Sequence, residues 1–565
     1  MRKRKSLLTL IGALVLLLSL SIPIMQCAPA AEEEVAPPPE EEVTPPPEEE
    51  EVLYGGRLNV GWITEQALES LRIGPAWELG DMGTIFWQLL YDQLWMVGPA
   101  PDYEIVPRLA TSWETEDNKT WTFHLRENAT FHDGVPVTAE DVAFSVEYIP
   151  KAMPVWDTPD TDWESFSIID DHTLEFTLGT TFGGAYPPVS WMPIFPKHIW
   201  EPYKDYMPSF PNDEAIGSGP FKLREFKPGE SMWFEANEDY WGGRPYVDEV
   251  VWRTYGSDDA LYMALKRGEV DMIGYYGCSP LVVNDLEKAE NIEVIDSLGM
   301  CIWSMSFNLH RDTPIQDLNV RKAIMYGIDR DKIIAMVYLG YGEKVDSNIY
   351  PELPEHNPNL PRYDYNLAEA SKILDEGGYV DSDNDGIRND PSTRENLALV
   401  MIVPSGWVDI VKAATLIKEQ LRDVGIDIVI KTMDIDTFYD LSYVPEDDLF
   451  DITWEEFDAG PNYDWIWDYY ASYEAGGEGW NASYYNNPEF DALVDTMRAE
   501  LDAEKRMENI YELQMMLAED MPKGNMFRVD VIDPVRTDEF EGYTQMMGGI
   551  SSWINPWTYY NVHLR

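Results

Sequence analysis

The segment from Pro107 to Tyr148 admits few folds, because a strand, a tight turn and a capped helix follow one another with little slack between them. Trp121, Phe123 and Leu125 alternate with Thr120, Thr122 and His124, the period of a half-buried strand. Phe131-His132-Asp133-Gly134 reads as the turn that leaves it. Thr138 stands where a hydroxyl caps a helix, and Asp141, three residues on, completes a capping box. Ala139, Val142, Ala143 and Val146 form one apolar stripe, and Pro150 is expected to stop the helix.

The rest of the chain alternates in the same way. Gly55-Gly56 leads into a first strand through Gly61, and Ile168 to Leu178 reads as a hairpin with alternating apolar positions. Asp317 and Asp329 are placed to cap helices whose inner faces carry Val320, Ala323, Ile324 and Gly327, then Ile333, Ile334 and Val337. A strand from Leu397 to Ile402, a helix through Ile410, Ala414, Ile417, Leu421 and Val424, a stop at Gly425 and a strand from Ile426 to Ile430 make a strand-helix-strand unit. Such a unit requires parallel pairing, so the fold class is α/β. Asn487-Pro488 opens a late helix with Phe490, Leu493, Val494 and Met497 on one side.

Charge removes whole function classes. The net charge is −61, from 102 acidic against 41 basic residues, and such a surface repels nucleic acid and anionic lipid heads. No nucleic-acid partner is expected. The 565 residues suffice for three or four average domains, and 44% hydrophobic with 13% aromatic content excludes disorder for the body. The long uncharged apolar run is Ser6 to Met25, behind Arg2-Lys3-Arg4-Lys5, which has the layout of a secretory signal peptide over residues 1–26. An uncleaved anchor helix is the alternative. Residues 27–53 follow as Glu runs broken by Pro triplets, an extended, self-repelling tether. With Cys27 set aside, Cys278 and Cys301 remain, either as a disulfide or as two buried thiols.

Catalytic chemistry is sparse in the pattern. The seven histidines include no HExxH pair, and no GxSxG, Walker A or GxGxxG motif occurs. Glu455-Glu456 has the form of a glycosidase acid pair, in a chain where chance supplies many. Asp381, Asp383 and Asp385, with Gly386 behind them, open like a calcium loop, and Asn389 adds an oxygen. Ser392 stands where the bidentate Glu of such a loop belongs, so a structural calcium and a polar turn are both open. No cofactor is otherwise required.

The opening segment also resembles the signature of the solute-binding proteins of ABC importers for dipeptides, oligopeptides and nickel chelates, the extracellular solute-binding family 5. Pro107-x-Leu109-Ala110-x-Ser112-Trp113, Phe123-x-Leu125-Arg126, Phe131-x-Asp133-Gly134 and Thr138-Ala139-x-Asp141-Val142 carry it. Pro196-Lys197-His198, Gly217-Ser218-Gly219-Pro220, Asn237 with Tyr240-Trp241-Gly242-Gly243, Phe307-Asn308 and Val320-Arg321 continue it in the family's order. The resemblance implies a two-lobed periplasmic-binding-protein fold of the large peptide-binding type, with an extra inserted subdomain. It implies lobe I from 54–96, 213–300 and 535–565, the inserted subdomain at 97–212, and lobe II at 301–534.

Function follows as an expectation from the same resemblance. The protein is expected to be a monomeric, non-enzymatic receptor that binds a peptide-like solute between its lobes and serves ABC permease and ATPase subunits. Ile24-Met25-Gln26-Cys27 resembles a bacterial lipobox, departing at Gln26, so Cys27 is expected to carry a lipid that holds the protein at the outer face of the membrane or in the periplasm. In peptide-binding members a Trp, then an Asp, then a Pro supplies the carboxylate for the ligand's α-ammonium. Trp454, Asp458 and Pro461 match that order with the spacing shifted by one, and Tyr463 and Trp465 are expected to complete the binding wall. An oligosaccharide receptor of the same fold, and a secreted glycoside hydrolase, are the alternatives.

Overall fold

The alternation read in the sequence becomes three large sheets and two small two-stranded ones in the computed structural model, which describes residues 52–63, 71, 85–152, 163–179, 181–182, 187–189, 192–275, 277–443, 449–458, 464–476, 479–552 and 554–565. The signal segment, Cys27 and nearly all of the tether lie outside the described residues. Val52–Arg565 form one unit.

The first lobe is built on a seven-stranded sheet whose order is Ile292–Ser297, Val531–Arg536, Met272–Ile273, Arg57–Ile63, Glu249–Tyr255, Ser231–Ala236 and Phe221–Lys227. Arg57–Ile63 runs parallel to Glu249–Tyr255, with Leu58 opposite Val250 and Val60 opposite Trp252. Val531–Arg536 pairs antiparallel with Ile292–Ser297, so the last return to this lobe precedes Val531. The expected boundary at 534/535 is therefore a few residues late. The apolar run through Met526, Phe527, Val529, Val531 and Ile532 crosses between sheets without a turn residue to mark the place.

The inserted subdomain is a four-stranded antiparallel sheet in the order Ala110–Thr115, Thr120–Leu125, Thr173–Leu178, Trp163–Asp170. Its helix, Ala139–Ala152, continues past Pro150. This corrects the expected stop. Pro150 lacks the N–H for one i→i−4 hydrogen bond and its ring crowds the turn before it, but only two residues follow it in the helix.

The second lobe has a six-stranded sheet in the order Glu343–Lys344, Lys523–Arg528, Cys301–Phe307, Ile452–Asp458, Ala398–Pro404, Asp427–Met433. Ala398–Pro404 and Asp427–Met433 are parallel, joined by the helix Val408–Arg422, with Leu399 opposite Ile428. Gly425 ends that crossover at φ 84°, a conformation that favours glycine. Asp317 accepts from Asn319 N–H at 2.9 Å and Asp329 from Lys332 N–H at 2.9 Å, while Asn487 caps Pro488–Ala499 by accepting from Glu489 N–H at 3.0 Å.

The sequence landmarks, distant along the chain, meet in space. Asp92, Arg108, Tyr240, Trp241 and Tyr560 form one network beneath the first lobe. Arg108 is paired to Asp92 at 3.1 Å, with 7% and 1% of the side chains exposed. Its guanidinium also donates to the hydroxyls of Tyr240 and Tyr560, and Asp92 accepts from Tyr240 at 2.9 Å and from Trp241 Nε1 at 2.6 Å. The Pro107-Arg108 and Tyr240-Trp241 landmarks are thus the two halves of a satisfied buried charge site.

A second junction fixes the passage from subdomain to lobe. His132 accepts at Nδ1 from Gly217 N–H at 3.1 Å and faces the Gly219 carbonyl through Nε2 at 3.1 Å. Gly217 and Gly219 press on the backbone of Leu89 and Leu90: a Cβ at Gly217 would lie 1.9 Å from the Leu90 oxygen. No other residue fits there. Asp133 meets His198 at 2.9 Å, and Asp141 accepts from Thr138 N–H and from Lys197 N–H, each at 2.9 Å. The Thr138 hydroxyl donates to Asp141 at 2.9 Å, so Asp141 does the capping of its own helix entrance.

Burial pushes His132 down to about 4 from its ordinary 6.5, so the ring is neutral in the fold at neutral pH. An unfolded chain takes up that proton near 6.5. Stability is therefore whole above pH 6.5 and falls as pH drops toward 4, by about 2–3 kcal/mol from this group. Urea denaturation of the parent and of His132→Gln at pH 7.5, 5.5 and 4.5 reads it as a gap between the variants that narrows with acid. A gap independent of pH would contradict it.

Candidate ligand cleft

Strand direction determines where a cleft can form. Ala398–Pro404 and Ile452–Asp458 run parallel and Cys301–Phe307 runs against them, so Pro404, Asp458 and Cys301 share one edge of the second lobe's sheet. Cys301 is opposite Asp458 in the register. The chain crosses from the first lobe immediately before Cys301, which places this carboxyl edge toward the other lobe, where ligands of open α/β sheets bind.

That edge is lined by aromatic rings from well-separated segments. Trp303 meets Trp407 at 5.2 Å and 82°, and Trp407 meets Phe438 at 5.4 Å and Tyr439 at 6.4 Å. Tyr439 stacks on Tyr443 at 6.3 Å. Trp480 lies against Tyr443 at 6.3 Å and Tyr469 at 5.7 Å, and Tyr469 rests on Phe457 at 5.6 Å. Tyr439 and Trp480 are each 43% exposed, an uncommon state for such large rings and one suited to a flat partner. Glu456 is exposed on the same edge and accepts from the Cys301 thiol at 3.5 Å.

A buried ion pair lies behind the rings. Lys523 and Glu455 approach to 2.5 Å with 1% and 2% of their side chains exposed. Glu455 also accepts from the Ser306 hydroxyl and, at 3.4 Å, from Tyr443. The Lys523 ammonium sits 5.0 Å from the Tyr469 ring centre and 4.6 Å from that of Tyr470. Burial pulls the lysine below its ordinary value, opposed by Glu455, while burial and Glu455 together hold the Tyr443 phenol well above its own.

A second ion-pair cluster lies within the same lobe. Arg528 donates to both oxygens of Glu352, at 2.6 and 2.9 Å, and to Glu343 at 2.8 Å. The phenol of Tyr103, in the inserted subdomain, is pushed up by burial and then by Glu352.

The expected site residues divide. Asp458 closes its strand at the cleft edge, though its side chain and that of Trp465 lie outside the described residues, as does Tyr463 altogether. Trp454 is fully buried and packs on Phe527 at 6.3 Å in the core of the second lobe. It offers no surface to a ligand in this arrangement. Glu455 and Glu456 point to opposite faces of their strand, one paired inside and one outside, so they do not form the facing pair that glycoside hydrolysis needs. Sequence reasoning missed Trp303, Trp407, Tyr439, Tyr443 and Trp480.

Two further expectations have definite geometry. Asp381, Asp383 and Asp385 are exposed and bring one oxygen each within 4.8 Å of the others, while Asn389 turns its oxygen to Ser382 N–H at 2.8 Å and to the Ser382 hydroxyl at 2.6 Å. Cys278 is buried, Cys301 is half-buried, and neither is in a disulfide. Among the described residues no helix is long and apolar enough to cross a membrane.

Comparison with known proteins agrees with this frame. Residues 104–486 match the model of the bacterial extracellular solute-binding proteins, family 5. The chain belongs to that family. It is 25% identical to the oligopeptide-binding protein AppA of Bacillus subtilis over 83% of this chain and 85% of that one, and 25% identical to the dipeptide-binding protein of Escherichia coli over 78% and 84%. The structure of AppA in complex with a nonapeptide superposes with a TM-score of 0.71 at 23% identity, covering 91% of this chain and 100% of that chain.

Proposed function

We propose that the protein is the lipid-anchored, extracytoplasmic receptor of an ABC importer, closing on a peptide-like solute and presenting it to permease subunits whose ATPase partners supply the energy. The observation that carries this reading is the aromatic edge of the second lobe, which faces the first lobe and ends at Asp458. Flat apolar walls bury side chains of varied shape, and a fixed carboxylate recognises an α-ammonium. The named relatives are peptide receptors, which supports the same class. Closure is favoured only by a ligand that touches both lobes, so binding energy goes into the hinge and no covalent step is needed. Calorimetric titration of trialanine and of cellotetraose decides between solute classes. Heat from the sugar alone would replace the peptide reading with the oligosaccharide one.

Membrane attachment in this reading runs through Cys27, because several acyl chains bury enough methylene to anchor a soluble body where one does so only reversibly. Cys27→Ala is expected to leave the membrane fraction or to persist as precursor. Undiminished labelling of that variant with radioactive palmitate would contradict the anchor.

The carboxylates of Asp381, Asp383 and Asp385 are proposed to hold calcium, which would relieve the repulsion of three charges within 4.8 Å. A cation bound only by the folded state raises the melting temperature by mass action. Melting in calcium should exceed melting in chelator, and Asp383→Asn should abolish the difference; identical curves would leave a polar turn.

A further inference from the structure

We infer that the buried Lys523–Glu455 pair is a positioning device for the cleft wall, setting the orientation of Trp480 without touching the solute. This rests on the proposed reading of the aromatic edge as the solute site.

The second lobe's sheet has an odd polar interior. Ser304, Ser306, Thr453, Glu455 and Lys523 are all buried on the central strands of the second lobe. Such a surface would bury more apolar area, at less risk, with aliphatic side chains, because an ion pair taken out of water roughly breaks even at best. The pair contacts the two tyrosines that hold Trp480. Glu455 accepts from the Tyr443 hydroxyl at 3.4 Å, and Lys523 lies over the Tyr469 ring at 5.0 Å. Tyr443 and Tyr469 then meet Trp480 from two sides, at 78° and 36° between ring planes.

Each link fixes a direction. The Tyr443 oxygen lies on the long axis of its ring, so a buried acceptor there fixes the direction of that axis and holds the ring between Glu455 and Trp480. A cation over a ring face fixes the tilt of that ring. Trp480 is 43% exposed, and among the described residues Tyr443 and Tyr469 are the rings that meet it. Its orientation is inherited from the two tyrosines, and theirs from the pair. A side chain placed by supports of this kind binds a flat partner at a lower ordering cost.

The test separates position from stability. Replacing both charges, Lys523→Met with Glu455→Met, leaves no unpaired charge inside, and the melting temperature is expected to fall only by what the Ser306 and Tyr443 hydroxyls lose with their acceptor. With 5-fluorotryptophan incorporated, the fluorine resonance of Trp480, identified by its loss in Trp480→Phe, should be one sharp line in the parent and a shifted or broadened line in the double variant. Trialanine affinity should fall by about tenfold to a hundredfold, the range seen when outer-shell supports of a metal site are removed. An unmoved Trp480 line in the double variant would overturn the inference whatever the solute. If the double variant does not fold, Tyr443→Phe removes one hydroxyl and keeps the ring, and it too must move the line or the inference falls. A moved line in a protein that binds no trialanine would leave the positioning role standing and remove the peptide reading instead.

Discussion

Arg108→Met is expected to lower the folding stability by about 3–5 kcal/mol, the cost of stranding one partner of a buried pair. Asp92, with 1% of its side chain exposed, would keep the Tyr240 and Trp241 hydrogen bonds and lose its only cation at contact distance among the described residues. The Tyr240 and Tyr560 hydroxyls would lose their shared donor group at the same time. Urea unfolding measures the loss directly. The double variant Arg108→Met with Asp92→Asn should lie closer to the parent than the single one, because no uncompensated charge is left inside. A single variant within about 1 kcal/mol of the parent would mean that water reaches Asp92 and that the network is not what joins the subdomain to the lobe.

Asp458→Asn is expected to weaken peptide binding by about 2–5 kcal/mol, the range for truncating one side of a buried charged contact. The substitution keeps the shape and deletes the charge. An α-ammonium brought out of water with no opposite charge costs several kcal/mol, whereas the unliganded protein should melt as the parent does. Titration of trialanine into both proteins gives the difference, and equal affinities would move the ammonium site to another carboxylate, such as the exposed Glu456.

The local grammar of the fold was legible because it is local. Caps at Asp317, Asp329 and Asn487, the parallel unit around Val408–Arg422 and the stop at Gly425 all depend on residues a few positions apart. The ligand wall was not legible for the opposite reason. Trp303, Trp407, Trp480 and the pair Tyr439 and Tyr443 on the helix Ile435–Tyr443 come from four segments, and each has the spacing of an ordinary core residue where it stands. Only the strand directions, which put the ends of three strands on one edge, show that they share a surface. Trp454 misled because alternation puts it and Asp458 on one face, yet four residues along a strand of ~3.3 Å rise separate a core position from the edge. The role of Gln26-Cys27 and the occupant of the cleft are chemical facts that no periodicity carries.

The most direct measurement is mass spectrometry of whatever the protein carries when purified from its host and denatured. The account predicts a peptide, or a family of peptides with free amino termini, released in near-stoichiometric amount from the parent and depleted from Asp458→Asn. An oligosaccharide in that place, or a peptide retained equally by both proteins, would contradict it.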